Sequence, residues 1–323
     1  MKAVLGVLLA AALGIGANGA ELAKPIQGPS DGGSAGAAVG APAAPGDMPM
    51  DISTGRPRIV ASVNGRPAEV VEFDTGSTGA VVQRAYVDKH KLPITGEVAL
   101  RSPFENTPPM MAKTVRIDSI VVGGITLRNV RAVVLEDKGF VGADAPLIIG
   151  PDEFPRHVIT LDYPASRFSL TAARPVGKAG WQRRKPGSQL ETSIEVQGQR
   201  IALLIDSGNP GVLMLPKSVA DRIDPAMKLI PVGAIRTVDR EIPILIGNLN
   251  RDARLASVAA RLGHTIFAEV PFANLGSQGL LPFRLTIDNP RRRWRLDHLG
   301  AGPVMLDSAP RRQPDPAPTG NRS

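Results

Sequence analysis

From about residue 50 to residue 300 the chain alternates short apolar runs with Gly, Pro and Asn. Runs of this kind, rich in Val and Ile and bounded by turn residues, predict strands. The clearest lie at 59–63, 68–73, 115–122, 125–135, 146–149, 158–162 and 167–170, and the second half repeats the layout more loosely. Asn64-Gly65, Gln197-Gly198 and Gly123-Gly124 fall between paired runs and predict tight hairpin turns. Helical spacing is confined to 83–92, 217–227 and 250–263, expected as short helices. Many short strands at close spacing give an all-β expectation, with sandwich- or barrel-like lobes.

Two of the predicted strands end alike, in Phe73-Asp74-Thr75-Gly76-Ser77 and Ile205-Asp206-Ser207-Gly208-Asn209. One such motif is weak, because Asp, Ser, Thr and Gly are ordinary turn residues. Here the surroundings match as well. Val63-Asn64-Gly65 precedes the first and Val196-Gln197-Gly198 the second, and Gly79 and Gly211 follow, each opening an apolar run. Farther on, Thr160-Leu161-Asp162-Tyr163-Pro164 with Arg167, Phe168 and Leu170 is mirrored by Thr286-Ile287-Asp288-Asn289-Pro290 with Arg293, Trp294 and Leu296. Thr160 follows Asp74 by 86 positions and Thr286 follows Asp206 by 80. The chain reads as two copies of one unit. A pseudo-twofold axis between them would bring the two aspartate loops face to face, where two carboxyls can share one proton.

Composition bounds the rest. Lys2, an apolar stretch to Ala17 and small residues through Ala20 have the layout of a secretory signal peptide, residues 1–20. Residues 21–49, rich in Ala, Gly and Pro, read as a linker or leader, with the N-terminal lobe at 50–173. Residues 174–188 read as an inter-lobe connector pinned by Trp181, 189–299 as the C-terminal lobe and 300–323 as a disordered tail. With no cysteine, neither a disulfide nor a thiolate nucleophile is available. A formal charge of +8 raises nucleic-acid binding, but aromatic residues are 4% of the chain and the basic residues are scattered. The exception, Arg291-Arg292-Arg293 with Arg295, reads as a hairpin edge. No nucleic-acid partner is expected, and no stable membrane insertion once the signal is removed.

The residues that repeat carry a resemblance. The chain resembles the retropepsin-like branch of the aspartic proteases, in a fused two-lobe, exported bacterial form, over roughly residues 55–172 and 190–298. The resemblance rests on the two Asp motifs, on 115–136, on Leu147-Ile148-Ile149-Gly150 and on 158–170. It implies two β-barrel lobes with the active site in the cleft between them. Asp74 and Asp206 would be the catalytic dyad, with Thr75 and Ser207 bracing each loop against the other. Gly76 and Gly208 would allow close backbone approach, and Ser77 and Asn209 would complete the loops. The implied reaction is hydrolysis of peptide or protein substrates through an activated water, by a monomer, with no cofactor and no metal. A homodimeric arrangement is unnecessary when the two copies are fused.

Three departures from the family pattern stand out. Leu280-Leu281-Pro282 takes the place expected of a second apolar-apolar-Gly element, so different packing is expected beneath the Asp206 loop. Asn209 stands where Ser, Thr or Ala is usual. The flap expected at 95–111 lacks a tyrosine, leaving Phe104 or Met110 for its substrate contact. Pro282 and the missing tyrosine are what a rival reading would cite, an inactive envelope protein of the same fold that binds peptides or a partner; retention of both aspartates, both hydroxyl braces and both glycines favours the enzyme. His90, His157, His264 and His298 show no metal-ligand spacing, and Asp162 and Asp288 read as turn formers.

Overall fold

A computed structural model describes residues 46–100, 104, 108–136, 145–172, 179–185, 187–236 and 241–309. Residues 1–20, read as a signal segment, most of the expected leader, much of the expected flap and the last 14 residues lie outside this set.

The fold is all-β, with two barrel lobes and a sheet that joins them. In the first lobe strand Arg58–Val63 neighbours Glu69–Phe73, followed by Leu147–Ile149, Ala80–Gln83, Ile125–Leu135 and Met110–Val122. Met110–Val122 pairs back onto Arg58–Val63 and closes the barrel. The second lobe takes the same path through Leu190–Val196, Gln199–Asp206, Ala273–Gly276, Leu213–Pro216, Val258–Ala268 and Glu241–Leu255, which returns to Leu190–Val196. Alternating apolar residues fill both barrels, Val71 and Phe73 in one and Leu203 and Ile205 in the other, all buried. Asn64-Gly65 and Gln197-Gly198 adopt positive φ at both positions, as a two-residue hairpin turn between twisted strands requires.

The joining sheet has six antiparallel strands, in the order Asp47–Pro49, Arg167–Ala172, His157–Asp162, Phe283–Asp288, Arg293–His298 and Gln182–Arg183. At its centre Thr160 pairs with Thr286, the two threonines that recur in the sequence. The pseudo-twofold axis runs through that pair, with one lobe on each side. Trp181 lies against the second lobe, with the Arg293 and Arg295 guanidinium carbons 4.1 and 4.9 Å from its ring centroid.

Helices Arg84–His90 and Lys217–Ile223 form within the expected windows. The expected helix at 250–263 does not. Those residues belong to a hairpin, Glu241–Leu255 with Val258–Ala268, turning at Ala256 with φ +52°. Its Ala, Arg and Leu are good helix formers, but this stretch has to close the barrel, and pairing on two sides outweighs propensity. The outer boundaries also shift. Asp47–Pro49, assigned to the leader, is an edge strand of the joining sheet, held by an Arg167–Asp47 ion pair. Val304–Leu306, assigned to a disordered tail, pairs in parallel with Val258–Ala268 and buries Val304 and Leu306. Burying two aliphatic side chains against a barrel edge orders a short strand that the surrounding Pro-rich composition conceals.

Candidate active site

Each aspartate sits where a barrel strand runs into the lobe interface. Strand Glu69–Phe73 delivers Asp74 and Gln199–Asp206 ends in Asp206, and both side chains are buried. The loops lock reciprocally. Thr75 Oγ1 donates to Ile205 O (2.8 Å) and accepts from Ser207 N (2.9 Å). Ser207 Oγ donates to Phe73 O (3.0 Å) and accepts from Thr75 N (2.9 Å). The expected cross-bracing is therefore present in the geometry. Thr75→Val removes two of the four bonds and strands a buried N–H and C=O, so it should lower stability by about 2–4 kcal/mol. Thr75→Ser keeps both bonds and should cost less than about 1 kcal/mol, as read by chemical denaturation.

The bracing brings the carboxyls together. Gly76 N donates to Asp74 Oδ1 (2.7 Å), and Gly208 N donates to Asp74 Oδ1 (2.9 Å) and Asp206 Oδ1 (3.1 Å). Glycine is required sterically, because a Cβ at Gly76 would overlap the Asp206 carboxyl and one at Gly208 the Asp74 carboxyl. Burial raises the Asp74 pKa above the usual carboxylate range, against the two amide bonds that lower it. Burial, and then the charge of Asp74, pushes Asp206 well above that range. Asp74 Oδ2 is buried with no N–H or hydroxyl donor among the described residues, so the shared proton is the donor left to it. Two such carboxyls titrate as a pair.

The packing behind the loops corrects one expectation. Leu280-Leu281-Pro282 is not the counterpart of Ile148-Ile149-Gly150. In the first lobe Glu72 and Phe73 pair in parallel with Ile148 and Ile149; in the second, Leu204 and Ile205 pair with Asn274 and Leu275. The true counterpart is Asn274-Leu275-Gly276, and the glycine is retained. Gly150 packs on the backbone of Ser77 and Gly79, and Gly276 on that of Asn209 and Gly211, with no room for a Cβ in either place. Pro282 lies beyond the short helix Ser277–Leu280, away from this packing. An Asn in an otherwise apolar triplet hid the correspondence.

Several partners of the site carry no sequence signal as single residues. Arg56 Nε donates to Gly208 O (2.8 Å) and Gln189 Nε2 donates to Gly76 O (2.7 Å), so each lobe holds the other's glycine carbonyl. Their similar positions, 18 and 17 residues before the two aspartates, were the available clue. Glu72, two residues before Asp74, is buried with its Oε1 3.8 Å from Arg56 Nε, and burial pushes its pKa up to about 8. Tyr163, in one of the repeated turns, is buried with its hydroxyl 2.9 Å from Ser277 Oγ. Ser77 Oγ donates to Gly79 O (2.8 Å), and Asn209 Oδ1 accepts from Gly211 N (2.9 Å), so both complete their own turns.

The first lobe extends a hairpin, Ile94–Leu100 with Met110–Val122. Phe104 at its tip is half-buried and packs against the second-lobe cluster of Met214, Ile235, Ile242, Ile244 and Ala268. Met110 is exposed. The second lobe has a hairpin of its own, Ile230–Arg236 with Glu241–Leu255, which the sequence reading did not anticipate. A β-bulge marks each, before Gly96 and before Gly233.

Residues 59–152 match the family model described as aspartyl protease. The match covers the barrel that carries Asp74, including Ile148-Ile149-Gly150. No curated protein matches the chain. Through that barrel the chain is similar to the aspartyl protease family.

Proposed function

We propose that this protein is an aspartic endopeptidase, its two lobes being copies of one unit, with Asp74 and Asp206 activating a water to hydrolyse peptide bonds. The observation that carries the reading is the pair of buried carboxyls held by reciprocal Thr75 and Ser207 bonds and by the Gly76 and Gly208 amides. Two adjacent carboxyls in a buried site retain one proton between them. The ionised carboxyl takes a proton from water as the water oxygen bonds to the peptide carbonyl carbon. The protonated carboxyl gives its proton to the carbonyl oxygen, forming a neutral tetrahedral diol. Collapse of the diol breaks the C–N bond, the amine leaves with a proton from the dyad, and no covalent enzyme intermediate forms. The rate should follow the singly protonated pair, with a bell-shaped pH dependence on the acid side.

Phe104 supports a lid role for the first hairpin, since it spans to the second lobe. Phe104→Ala should lower kcat/KM on peptide substrates by about tenfold, the value of losing most of an aromatic contact. Met110→Ala should stay within about twofold, and steady-state kinetics of both variants separates the two.

The chain is further proposed to act as a monomer exported to a bacterial envelope, from the fused lobes and the charged, apolar and small residues of 1–20. Fractionation of cells expressing the full chain tests the export, which a cytoplasmic location would refute. Among the described residues no helix is long and apolar enough to cross a membrane.

A further inference from the structure

The two aspartate loops are nearly symmetric, but what lies behind them is not. Ile148 and Asn274 hold equivalent register positions, beside Glu72 and Leu204. Ile148 packs in an apolar cluster with Val81, Val133 and Leu135. Asn274 is equally buried and donates from Nδ2 to Asp206 Oδ2 at 2.7 Å. Its Oδ1 accepts from Asn209 Nδ2 at 2.7 Å, and Asn209 Oδ1 accepts from Gly211 N at 2.9 Å. The backbone N–H of Gly211 can only donate, so it sets the orientation of both amides. Asn209 must turn its oxygen to Gly211 and its NH2 to Asn274. Asn274 must then turn its own NH2 to Asp206. Among the described residues Asp206 thus has a donor on each oxygen, whereas Asp74 has two donors on Oδ1 and none on Oδ2.

We propose that Asn274, oriented by Asn209, is a positioning residue that makes the dyad unequal. It occupies Asp206 Oδ2, so that a proton shared with Asp74 sits on Asp206 Oδ1, and its N–H, which favours the ionised form, keeps that proton transferable; Asp74 Oδ2 takes the proton of the attacking water. Asp206 is then the acid that protonates the carbonyl oxygen, and Asp74 the base. The charge of Asp74 acting on Asp206 favours the same division. The other ionisable groups facing the pair are Glu72 and Arg56 beside Asp74, and Tyr163 near both carboxyls. The proton roles rest on the peptidase reading; the amide chain and its hold on Asp206 do not.

Asn274→Ile, which copies the first lobe, tests the assignment. Two readouts are paired: peptide cleavage across pH, and carboxyl-carbon NMR titration of labelled aspartates, assigned with the Asp74→Asn and Asp206→Asn variants. With the donor to Asp206 gone, kcat should fall by more than about tenfold while KM stays within about threefold. The alkaline limb of the rate profile and the Asp206 titration should both move to higher pH. Asn209→Ala, which frees Asn274 to turn, should shift both in the same direction by less, and it carries the test if Asn274→Ile does not fold. If no peptide is cleaved by the wild type yet Asn274→Ile moves the Asp206 titration, the positioning role stands and the peptidase reading falls. If peptides are cleaved and neither variant changes kcat, the pH profile or the titrations, Asn274 is only a packing residue and the proposal is overturned.

Discussion

Asp74→Asn and Asp206→Asn should each lower peptide turnover by about three orders of magnitude or more, without unfolding the protein. General acid–base catalysis by one positioned group is worth about 10²–10⁴ in rate. In this site each carboxyl must change its protonation state during the cycle, and an amide does neither half of the exchange. The fold should tolerate the change well. An Asn at position 74 can still accept from Gly76 N and Gly208 N, and it removes a carboxyl that burial disfavours in its charged form. Thermal melts near neutral pH should therefore show equal or higher stability in both variants, beside the loss of kcat/KM. A variant that loses activity only because it unfolds would show the opposite pairing.

Glu72→Gln should raise stability at about pH 8 by on the order of 3–5 kcal/mol and change it little below about pH 4. The sign follows from where the proton is held. Burial lifts Glu72 from its ordinary 4.5 to about 8, with Arg56 only partly offsetting the rise. Between those two values the folded protein keeps the proton and the unfolded chain releases it. Stability is therefore full below the lower value, declines as pH rises through the window, and has lost this whole contribution above the upper one. Gln stays neutral and does not titrate, so the Glu72 share of the decline should vanish from the variant, leaving those of Glu153, pushed up to about 7, and of the two buried aspartates. Unfolding free energies at several pH values measure the difference directly. Parallel pH dependence in wild type and variant would mean that Glu72 reaches solvent or a full counter-charge in solution.

The parts of this molecule that repeat were legible in the sequence. Two Asp-Thr/Ser-Gly motifs in matching surroundings announced two lobes and a paired site, and Thr160 and Thr286 marked the positions that meet on the axis. What stayed hidden departs from the repeat or depends on partners distant along the chain. Asn274 broke the apolar pattern of its element and sent the correspondence to Leu280-Leu281-Pro282, six positions too far along. The hairpin through 250–263 was masked by residues that favour helix in isolation and turns at an Ala with positive φ, which no turn signal marks. Arg56 and Gln189 acquire their roles only when the lobes meet, because each binds a glycine carbonyl of the opposite loop, and Glu72 acquires its own only when folding buries it beside Arg56 and Asp74.

The account depends on whether the paired carboxyls cleave peptides. Incubating the purified protein with a mixed peptide library from acidic to neutral pH, beside Asp74→Asn and Asp206→Asn, tests that most directly. Internal cleavage by the wild type, strongest on the acid side and absent from both variants, is the result predicted by a dyad sharing one proton. A folded wild type that cuts no peptide at any pH, or variants that cut as well as it does, would contradict it.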